Sequence, residues 1–394
     1  MEKKTSRLYF IDAMRAWAIL MMLQGHFIDG LLDTVFRDPN NLVYSIWSYF
    51  RGITAPVFFT VSGFIFTYLL IRGDNTGMDN PRIKKGIRRG LQLVLIGYLL
   101  RMNLWGLFMG KIYDSFYLVD VLHCIGLSIL GIIGIYLLTH KLNKIAFPVV
   151  LLSASLLLFT FEPRYATATF EAIPQFLANY ISKVNGSVFT IIPWFGYAAF
   201  GAFLSILFKR FSDYKYLYPV AIATAVSVGS VLILYSSDAF LYISELTGIQ
   251  VFRAIHFNNY LFIRLGDVLL VFAVFMLVRS VLKNTTVLKI GQSTLSIYII
   301  HFIILYGSFT GLGLYGFLHH SISPVMVISG ALLFMLVCTY AALRYERHKE
   351  YIHLNVNSTL RYAWFKMESF LGFGFGLVKN AFSKLLRSLG LLKN

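Results

Sequence analysis

About ten apolar segments, each close to the length that crosses a membrane, constrain the fold of this chain more than any other feature. A spanning helix needs roughly 20 mostly apolar residues. The segments run from Ala13 to Leu32, Ser45 to Ile71, Gly90 to Met109, Val119 to Thr139, Ile145 to Phe161, Val188 to Phe208, Leu217 to Tyr235, Asn259 to Val281, Ile290 to Phe309 and Pro324 to Tyr345. They predict an all-α, polytopic bundle of transmembrane helices with about ten spans.

The composition agrees with a membrane protein. Charged residues make up 13% of the 394 residues and hydrophobic residues 57%, whereas soluble domains carry about 25% charged residues. The net charge of +17 would point to nucleic acid only if it formed a basic face on a soluble fold. Because the lysines and arginines lie in short loops between apolar segments, we expect no nucleic-acid partner.

The positions of the basic residues predict the topology. Lysine and arginine concentrate on alternate loops, which places both termini in the cytoplasm and makes the number of spans even. The basic and then apolar N-terminus is expected to be an uncleaved first helix, because Arg15 interrupts the apolar run and no cleavage site follows. Residues 1–345 are predicted to form a transmembrane domain of a bacterial inner membrane protein. Residues 346–394 are predicted to form a basic, amphipathic cytoplasmic tail.

Three ionisable residues lie along one face of the first predicted helix. His26 follows Arg15 by eleven residues, which is about 20° past three full turns and ~16 Å along the axis. Asp12 lies on the same stripe, about one turn before Arg15. Ionisable groups at membrane depth usually face a protein interior or a wet cavity. The stripe favours a polar path across the membrane, and a purely structural Asp12–Arg15 pair with a packed histidine is an equal alternative.

Further ionisable residues fall at the predicted outer depth of their spans. They are Arg51, Arg101, Asp120, His123, Arg264, Asp267 and His301. Arg264 and Asp267 have the i, i+3 spacing of a local ion pair. For His123 or His301 alone, a packed core histidine is as good an interpretation as a catalytic one. Together, the groups favour a polar cavity that opens to the outside.

A basic cluster marks the predicted inner side. The sequence RIKKGIRR at the start of the third span contributes Arg82, Lys84, Lys85, Arg88 and Arg89. These cations form an anion site that could bind a phosphorylated cofactor, and positive-inside topology with lipid contact is the alternative interpretation. No metal site is expected, because the two cysteines, Cys124 and Cys338, lie singly inside apolar segments.

Several of these segments resemble a known family. RLYFIDAMRAWAILMMLQGH is similar to the start of the transmembrane acyltransferases, a grouping that includes the acyltransferase-3 family and the heparan-alpha-glucosaminide N-acetyltransferase-like proteins. Acyltransferase-3 members have Arg or Lys, ten residues and then His on the first span, which Arg15 and His26 match. PVFFTVSGF resembles the serine-glycine motif of their second span. VDVLHCIGLS, the PWFGY segment and LKIGQSTLSIYIIHF look more like the heparan-glucosaminide branch. The resemblance runs from Arg7 to about Arg344.

The resemblance implies an acyl transfer across the membrane. An acyl group, expected to be acetyl, would pass from cytoplasmic acyl-CoA to a sugar hydroxyl or amine on the other side. His26 would act as the general base, while Arg15 and Asp12 would support the polar path. Asp120, His123 and His301 would orient His26 or bind the acceptor. The basic cluster Arg82, Lys84, Lys85, Arg88 and Arg89 would bind CoA, and the acceptor would contact Arg51, Arg101, Arg264 and Asp267.

A transporter is the alternative function. The same buried charges are compatible with proton-coupled transport or export, but the sequence lacks the internal repeat that is typical of such proteins. Membrane lipids are expected partners in either case, and a homodimer is left open.

Overall fold

A computed structural model describes residues 8–73, 75–166, 168–170 and 172–388, with side chains through residue 358 except 353 and 357. Within these residues the fold is all helical, without a β-strand, so the predicted fold class is confirmed. The helices are, in chain order, α1 (Tyr9–Leu31), α2 (Leu42–Leu70), α3 (Pro81–Arg101), α4 (Leu104–Phe108), α5 (Val121–Thr139), α6 (Ala146–Thr160), α7 (Glu162–Tyr165), α8 (Gln175–Ala178), α9 (Ile191–Arg210), α10 (Leu217–Thr247), α11 (Gln250–Phe257), α12 (Tyr260–Leu277), α13 (Thr285–Gln292), α14 (Thr294–Tyr306), α15 (Leu314–Leu318) and α16 (Pro324–Ser388).

The chain divides into two compact units, residues 1–341 and 342–394. The first unit contains α1 to α15 and all of the site residues predicted from the sequence. The second unit is helical as far as Ser388. The predicted amphipathic face of the tail depends on side chains that lie largely outside the described residues, so it stays a prediction.

Six helical stretches in the described chain are long and apolar enough to cross a membrane. They are Leu42–Leu70, Asp114–Thr139, Ile191–Arg210, Leu217–Thr247, Tyr260–Leu277 and Pro324–Ile352. The pair α13 and α14, bent by 68°, makes a seventh if it is one span. The helices α1 and α3 carry more polar residues, and α6 is shorter. The predicted count of ten spans and the cytoplasmic termini therefore stay predictions.

The helix α10 differs in length from the predicted span. The apolar pattern ends at Tyr235, but the helix continues to Thr247 and ends on Gly248, whose φ of 71° gives the left-handed cap that favours glycine. The helix therefore extends well past the predicted span and is followed by the short α11. The segment before α9 contains the short helices α7 and α8.

The helices α2 and α9 pack with their backbones in direct contact. A Cβ atom added at Gly63 would lie 1.9 Å from the carbonyl oxygen of Ala198, and one added at Gly201 would lie 1.8 Å from that of Thr60. Glycine permits this approach because it has no side chain to separate the helices. The serine-glycine segment of α2 and the stretch that follows PWFGY in α9 therefore serve helix packing.

The directions of three helices position the site. Phe10 packs against Phe64 with ring centroids 6.4 Å apart, and Gly25 lies against the side chain of Arg51, so α1 and α2 are antiparallel. Arg15 contacts Thr294 at the start of α14, and His26 contacts His301 one to two turns later. The helices α1 and α14 therefore run in the same direction. The contact between His26 and His301 is the one nearer the Leu31 end of α1.

Candidate active site

A pair of histidines joins α1 to α14. Nδ1 of His26 lies 3.1 Å from Nε2 of His301, and Nδ1 of His301 lies 2.5 Å from the backbone carbonyl oxygen of Tyr298. A carbonyl oxygen only accepts, so Nδ1 of His301 carries a hydrogen and Nε2 of the neutral ring must accept from His26. Neutral His26 then carries its hydrogen on Nδ1 and its lone pair on Nε2. The hydrogen bonds thus give His26 the tautomer of a general base.

His26 lines a polar cavity of about 730 Å³ at this end of the bundle. The ring is half-buried, and its Nε2 makes no hydrogen bond to any described residue. Charged, amide and aromatic side chains share the wall with His26, among them Asp29, Arg51, Arg101, Asn103, Asp120 and Tyr306. The cavity therefore combines a nitrogen lone pair with groups that can hydrogen-bond a polar ligand.

Two ion pairs hold charged groups at the cavity wall. Arg51 Nη2 donates to the Asp29 carboxylate at 2.5 Å, and Arg101 Nη2 donates to that of Asp120 at 3.2 Å. Asp120 also accepts from the Tyr298 hydroxyl at 3.0 Å. Since the carbonyl of Tyr298 accepts from His301, Tyr298 links the Asp120 carboxylate to the histidine pair.

A second, smaller cavity of about 200 Å³ shares His26 and Arg51 with the polar one. It extends toward Phe10 and Phe64, because its other residues on α1 precede His26 and those on α2 follow Arg51. The lining there is mostly apolar and includes Met22, Phe59, Phe189 and Trp194. His26 thus lies at the boundary between a polar and an apolar cavity.

His123 lies behind the polar cavity rather than in it. Its Nδ1 accepts from the backbone N–H of Asp120 at 3.0 Å and closes a capping box at the start of α5. Its ring packs on Tyr98 with centroids 4.4 Å apart, and the Tyr98 hydroxyl lies 2.6 Å from that of Tyr180. Burial, followed by this hydrogen bond, raises the pKa of Tyr180. The structure does not bring His123 to His26. His123 follows Asp120 by three residues, so its ring hydrogen-bonds the backbone at the start of its own helix instead.

Arg264 and Asp267 line neither cavity, although Arg264 contacts Gly52 and Tyr260 in the wall of the smaller one. They form the expected i, i+3 ion pair at 2.8 Å, and the Tyr49 hydroxyl donates to Asp267 at 2.7 Å. The Arg264 guanidinium lies against the backbone of Gly52, where an added Cβ would be 2.7 Å from Nη2. The local ion pair is confirmed, and the contact with an acceptor stays a prediction.

Arg15 and Asp12 occupy the other end of the stripe. Arg15 Nη2 donates to the Thr294 hydroxyl at 3.1 Å, and its other terminal nitrogen lies 3.9 Å from the Asp12 carboxylate. Arg15 and His26 both face α14, as the eleven-residue spacing predicts. Neither Arg15 nor Asp12 lines the polar cavity. Arg15 lies ~16 Å from His26 along the axis of α1, and Asp12 lies about one turn further away.

The basic cluster lies at the Arg15 end of the bundle. Gly86, within the cluster, packs against Phe66 near the end of α2, and the charge of Arg89 acts on Arg15. The five basic side chains, Arg82, Lys84, Lys85, Arg88 and Arg89, are exposed. The same helix ends at Arg101 in the cavity wall, about 18 Å from Arg89. One helix thus carries both a surface cation cluster and a cavity arginine.

Sequence reasoning missed several residues of the site. Asp29 had a usable signal, because it follows His26 by three residues and shares its helix face. Asn103 and Tyr298 gave none, since Asn103 begins a short irregular segment and Tyr298 reads as one more apolar position of a span. Trp194 and Thr54 likewise look like ordinary residues of apolar helices.

Comparison with known families assigns the chain to one of them. The sequence model of the acyltransferase-3 family, described as an acyltransferase domain, matches residues 8–344. The chain belongs to the acyltransferase-3 family. A search of curated proteins finds no match.

Membership of the acyltransferase-3 family indicates an integral membrane acyltransferase. The family resemblance predicted from Arg15, His26 and the serine-glycine motif is confirmed. The finer likeness to the heparan-glucosaminide branch stays a prediction. Of the two functions considered from the sequence, the family favours the transferase over the transporter.

Proposed function

We propose that this acyltransferase-3 protein moves an acyl group from acyl-CoA to a hydroxyl or amine of a carbohydrate acceptor, with His26 as the general base. The observation that carries the proposal is the hydrogen-bond chain from the Tyr298 carbonyl through His301 to His26. It leaves the lone pair of neutral His26 on Nε2, within a residue that lines the polar cavity. A base in this position can take the proton of an acceptor O–H or N–H that lies within hydrogen-bond distance of Nε2.

The acceptor is proposed to bind in the polar cavity. The Arg51–Asp29 and Arg101–Asp120 ion pairs line the same cavity as His26. Paired charges, an amide and aromatic rings can hydrogen-bond several hydroxyls and stack on an apolar sugar face. In the proposed orientation this cavity opens to the extracytoplasmic side.

The donor is proposed to approach from the end that carries the basic cluster. Exposed Arg82, Lys84 and Lys85 attract the phosphates of CoA, and Arg88 and Arg89 extend the cluster by one turn. Arg15 lies between this surface and His26 on the α14 side of α1. The cations would hold the anionic nucleotide while the acyl end reaches His26.

The direct test uses purified protein in liposomes. Acetyl-CoA is added on one side and glucosamine or methyl glucoside on either side, and acylated sugar is measured by mass spectrometry with released CoA thiol as a second readout. We expect acyl sugar and stoichiometric CoA release, and neither with His26→Gln. Sugar uptake that needs no CoA, without acyl product, would contradict the proposal and favour transport.

A further inference from the structure

We propose that the smaller cavity beside His26 binds the acyl group of the donor, restricts it to a short chain, and supplies two hydrogen bonds to its carbonyl oxygen from Thr54 and Trp194. This inference rests on the proposed function and defines its donor more narrowly. The cavity, called the acyl pocket below, is lined by residues that include Met22, Thr54, Phe59, Phe189 and Trp194, with His26 and Arg51 at its mouth.

The position of the acyl pocket suits a donor subsite. Its α1 residues, Met21 and Met22, lie about one turn from His26 on the Arg15 side. The polar cavity uses Asp29, on the opposite side of His26 along the same helix. A base at the boundary can take a proton from an acceptor in one cavity while the acyl carbon is held in the other. The two substrates then meet at His26, where the cavities adjoin and share Arg51 and Phe189.

The size and walls of the acyl pocket limit the chain. The volume of about 200 Å³ is room for about seven groups the size of a water molecule, at roughly 30 Å³ each. A thioester carbonyl with two to four acyl carbons fits this space. Phe59, Phe189 and Trp194 close the wall, with ring centroids 4.8 to 6.0 Å apart. Because such interlocked rings are close-packed, a long chain would have to displace them.

Two polar atoms at the acyl pocket lack partners. Thr54 Oγ1 and Trp194 Nε1 are buried and make no hydrogen bond to the described residues, although both residues line the acyl pocket and are only 6% and 7% exposed. On the same helix, Thr60 and Ser62 donate to carbonyls one turn back, whereas Thr67, away from the acyl pocket, also has an unpartnered hydroxyl. Buried donors are rarely left unsatisfied. An indole N–H and a hydroxyl can both donate to the same carbonyl oxygen.

These donors complete a balanced transfer. His26 Nε2 takes the proton from the acceptor O–H as that oxygen bonds to the acyl carbonyl carbon. Thr54 and Trp194 stabilise the negative charge that develops on the carbonyl oxygen. When the C–S bond breaks, sulfur leaves with the bonding electrons and takes the proton from His26, which returns to the neutral base. Acyl-CoA and acceptor become CoA thiol and acylated acceptor, with no other reactant.

The first test varies the chain length of the donor. Wild-type protein is assayed with acetyl-, butanoyl-, hexanoyl- and octanoyl-CoA. The value of kcat/KM should fall at least tenfold from acetyl to octanoyl, because one methylene group too many in a filled apolar pocket costs about tenfold or more. Phe59→Ala should raise the octanoyl-to-acetyl ratio about tenfold. Phe64→Ala is the matched control, because Phe64 is equally buried on the same helix but lines a different cavity. A flat wild-type series, or equal changes in both variants, would overturn the acyl pocket.

The second test removes each donor in turn, with a side chain of the same shape at position 54 and a smaller aromatic ring at position 194. Thr54→Val and Trp194→Phe should each lower kcat about 100-fold, the usual effect of losing one such donor, with little change in KM. Thr60→Val serves as the control, because Thr60 already bonds within its helix. Binding is followed separately, by the thermal shift that S-ethyl- and S-octyl-CoA thioethers produce, and the ethyl form should stabilise the wild type more than the octyl form.

The outcomes separate this inference from the function on which it rests. Full kcat in Thr54→Val and Trp194→Phe would overturn the two hydrogen bonds while acyl transfer itself stands. Equal stabilisation by the ethyl and octyl thioethers would overturn the chain-length limit. A folded wild-type protein that transfers no acyl group of any length would overturn the proposed function and the acyl pocket with it.

Discussion

His26 and His301, which are 275 residues apart in the sequence, share a 3.1 Å hydrogen bond between their ring nitrogens. The bond fixes which nitrogen of His26 bears the lone pair, because His301 is already committed to the Tyr298 carbonyl through Nδ1. The first and ninth predicted spans thus contribute one unit, in which His301 sets the tautomer and His26 faces the cavity. The following expectations depend on this unit and on the packing around it.

His301 should affect the rate rather than acceptor binding. Replacing it by Phe, His301→Phe, removes the acceptor for His26 Nδ1, so the ring of His26 loses its fixed tautomer. We expect kcat to fall about 100-fold, within the range of general-base effects, with acceptor KM little changed. His140→Phe is the control, because His140 lies at the C-terminal end of α5 and lines neither cavity. An equal loss in both variants would assign His301 a merely structural role.

Tyr298 should contribute to stability through Asp120. Tyr298→Phe removes one hydrogen bond to a buried carboxylate and should lower the free energy of unfolding by about 2 kcal/mol, because hydrogen bonds to charged groups contribute about 1.5–3 kcal/mol. The change is measured as thermal unfolding in detergent. Tyr306→Phe is matched on the same helix, and its hydroxyl makes no hydrogen bond to the described residues, so it should unfold like the wild type. Indistinguishable unfolding of both variants would show that the Asp120 bond is not formed.

Two glycines should differ sharply in their tolerance of alanine. Gly63→Ala places a Cβ 1.9 Å from the Ala198 carbonyl and should destabilise the α2–α9 contact by several kcal/mol or prevent folding. Gly134→Ala, in α5, meets no atom within 4 Å and should be neutral or add about 0.5–1 kcal/mol of stability. Detergent-solubilised yield and unfolding temperature report both. Comparable behaviour of the two variants would mean that α2 and α9 do not touch.

The basic cluster should act on the donor alone. Changing Arg82, Lys84 and Lys85 together to Gln should raise KM for acetyl-CoA about tenfold, because each exposed charge contributes up to about 1 kcal/mol, and should leave kcat unchanged. The effect should shrink at high salt, where exposed charges are screened. Lys183→Gln, also exposed, is the control. If the cluster binds lipid head groups instead of CoA, the triple variant will keep the wild-type KM for acetyl-CoA and will bind anionic vesicles more weakly. That result would contradict the prediction.

The helical fold and the face shared by Arg15 and His26 could be predicted because they depend on periodicity within single segments. The span count was harder, because α1 and α3 carry the very polar residues that make the site. The family resemblance offered His301 as one of three candidates for orienting His26, but the contact itself could not be derived from the sequence. It depends on α1 and α14 running in the same direction, which is set by tertiary packing.

Two predicted site residues, His123 and Arg264, line neither cavity, and their immediate neighbours explain why. His123 follows Asp120 at the spacing of a capping box, and the sequence carried that signal. Arg264 is drawn to the backbone at Gly52 and to Tyr49, whose ring lies 4.4 Å from its guanidinium carbon. No pattern in the sequence indicates that neighbour, because it lies on another helix.

The most direct test of the account is the rate of acyl transfer by His26→Gln, which keeps a polar side chain of similar size but has no basic nitrogen. Protein of wild-type fold, judged by its unfolding temperature, is assayed with saturating acetyl-CoA and sugar. We expect a loss of at least about 100-fold in kcat, the low end of general-base catalysis, and unchanged binding of the S-ethyl-CoA thioether. Transfer at the wild-type rate would contradict the assignment of His26 as the base.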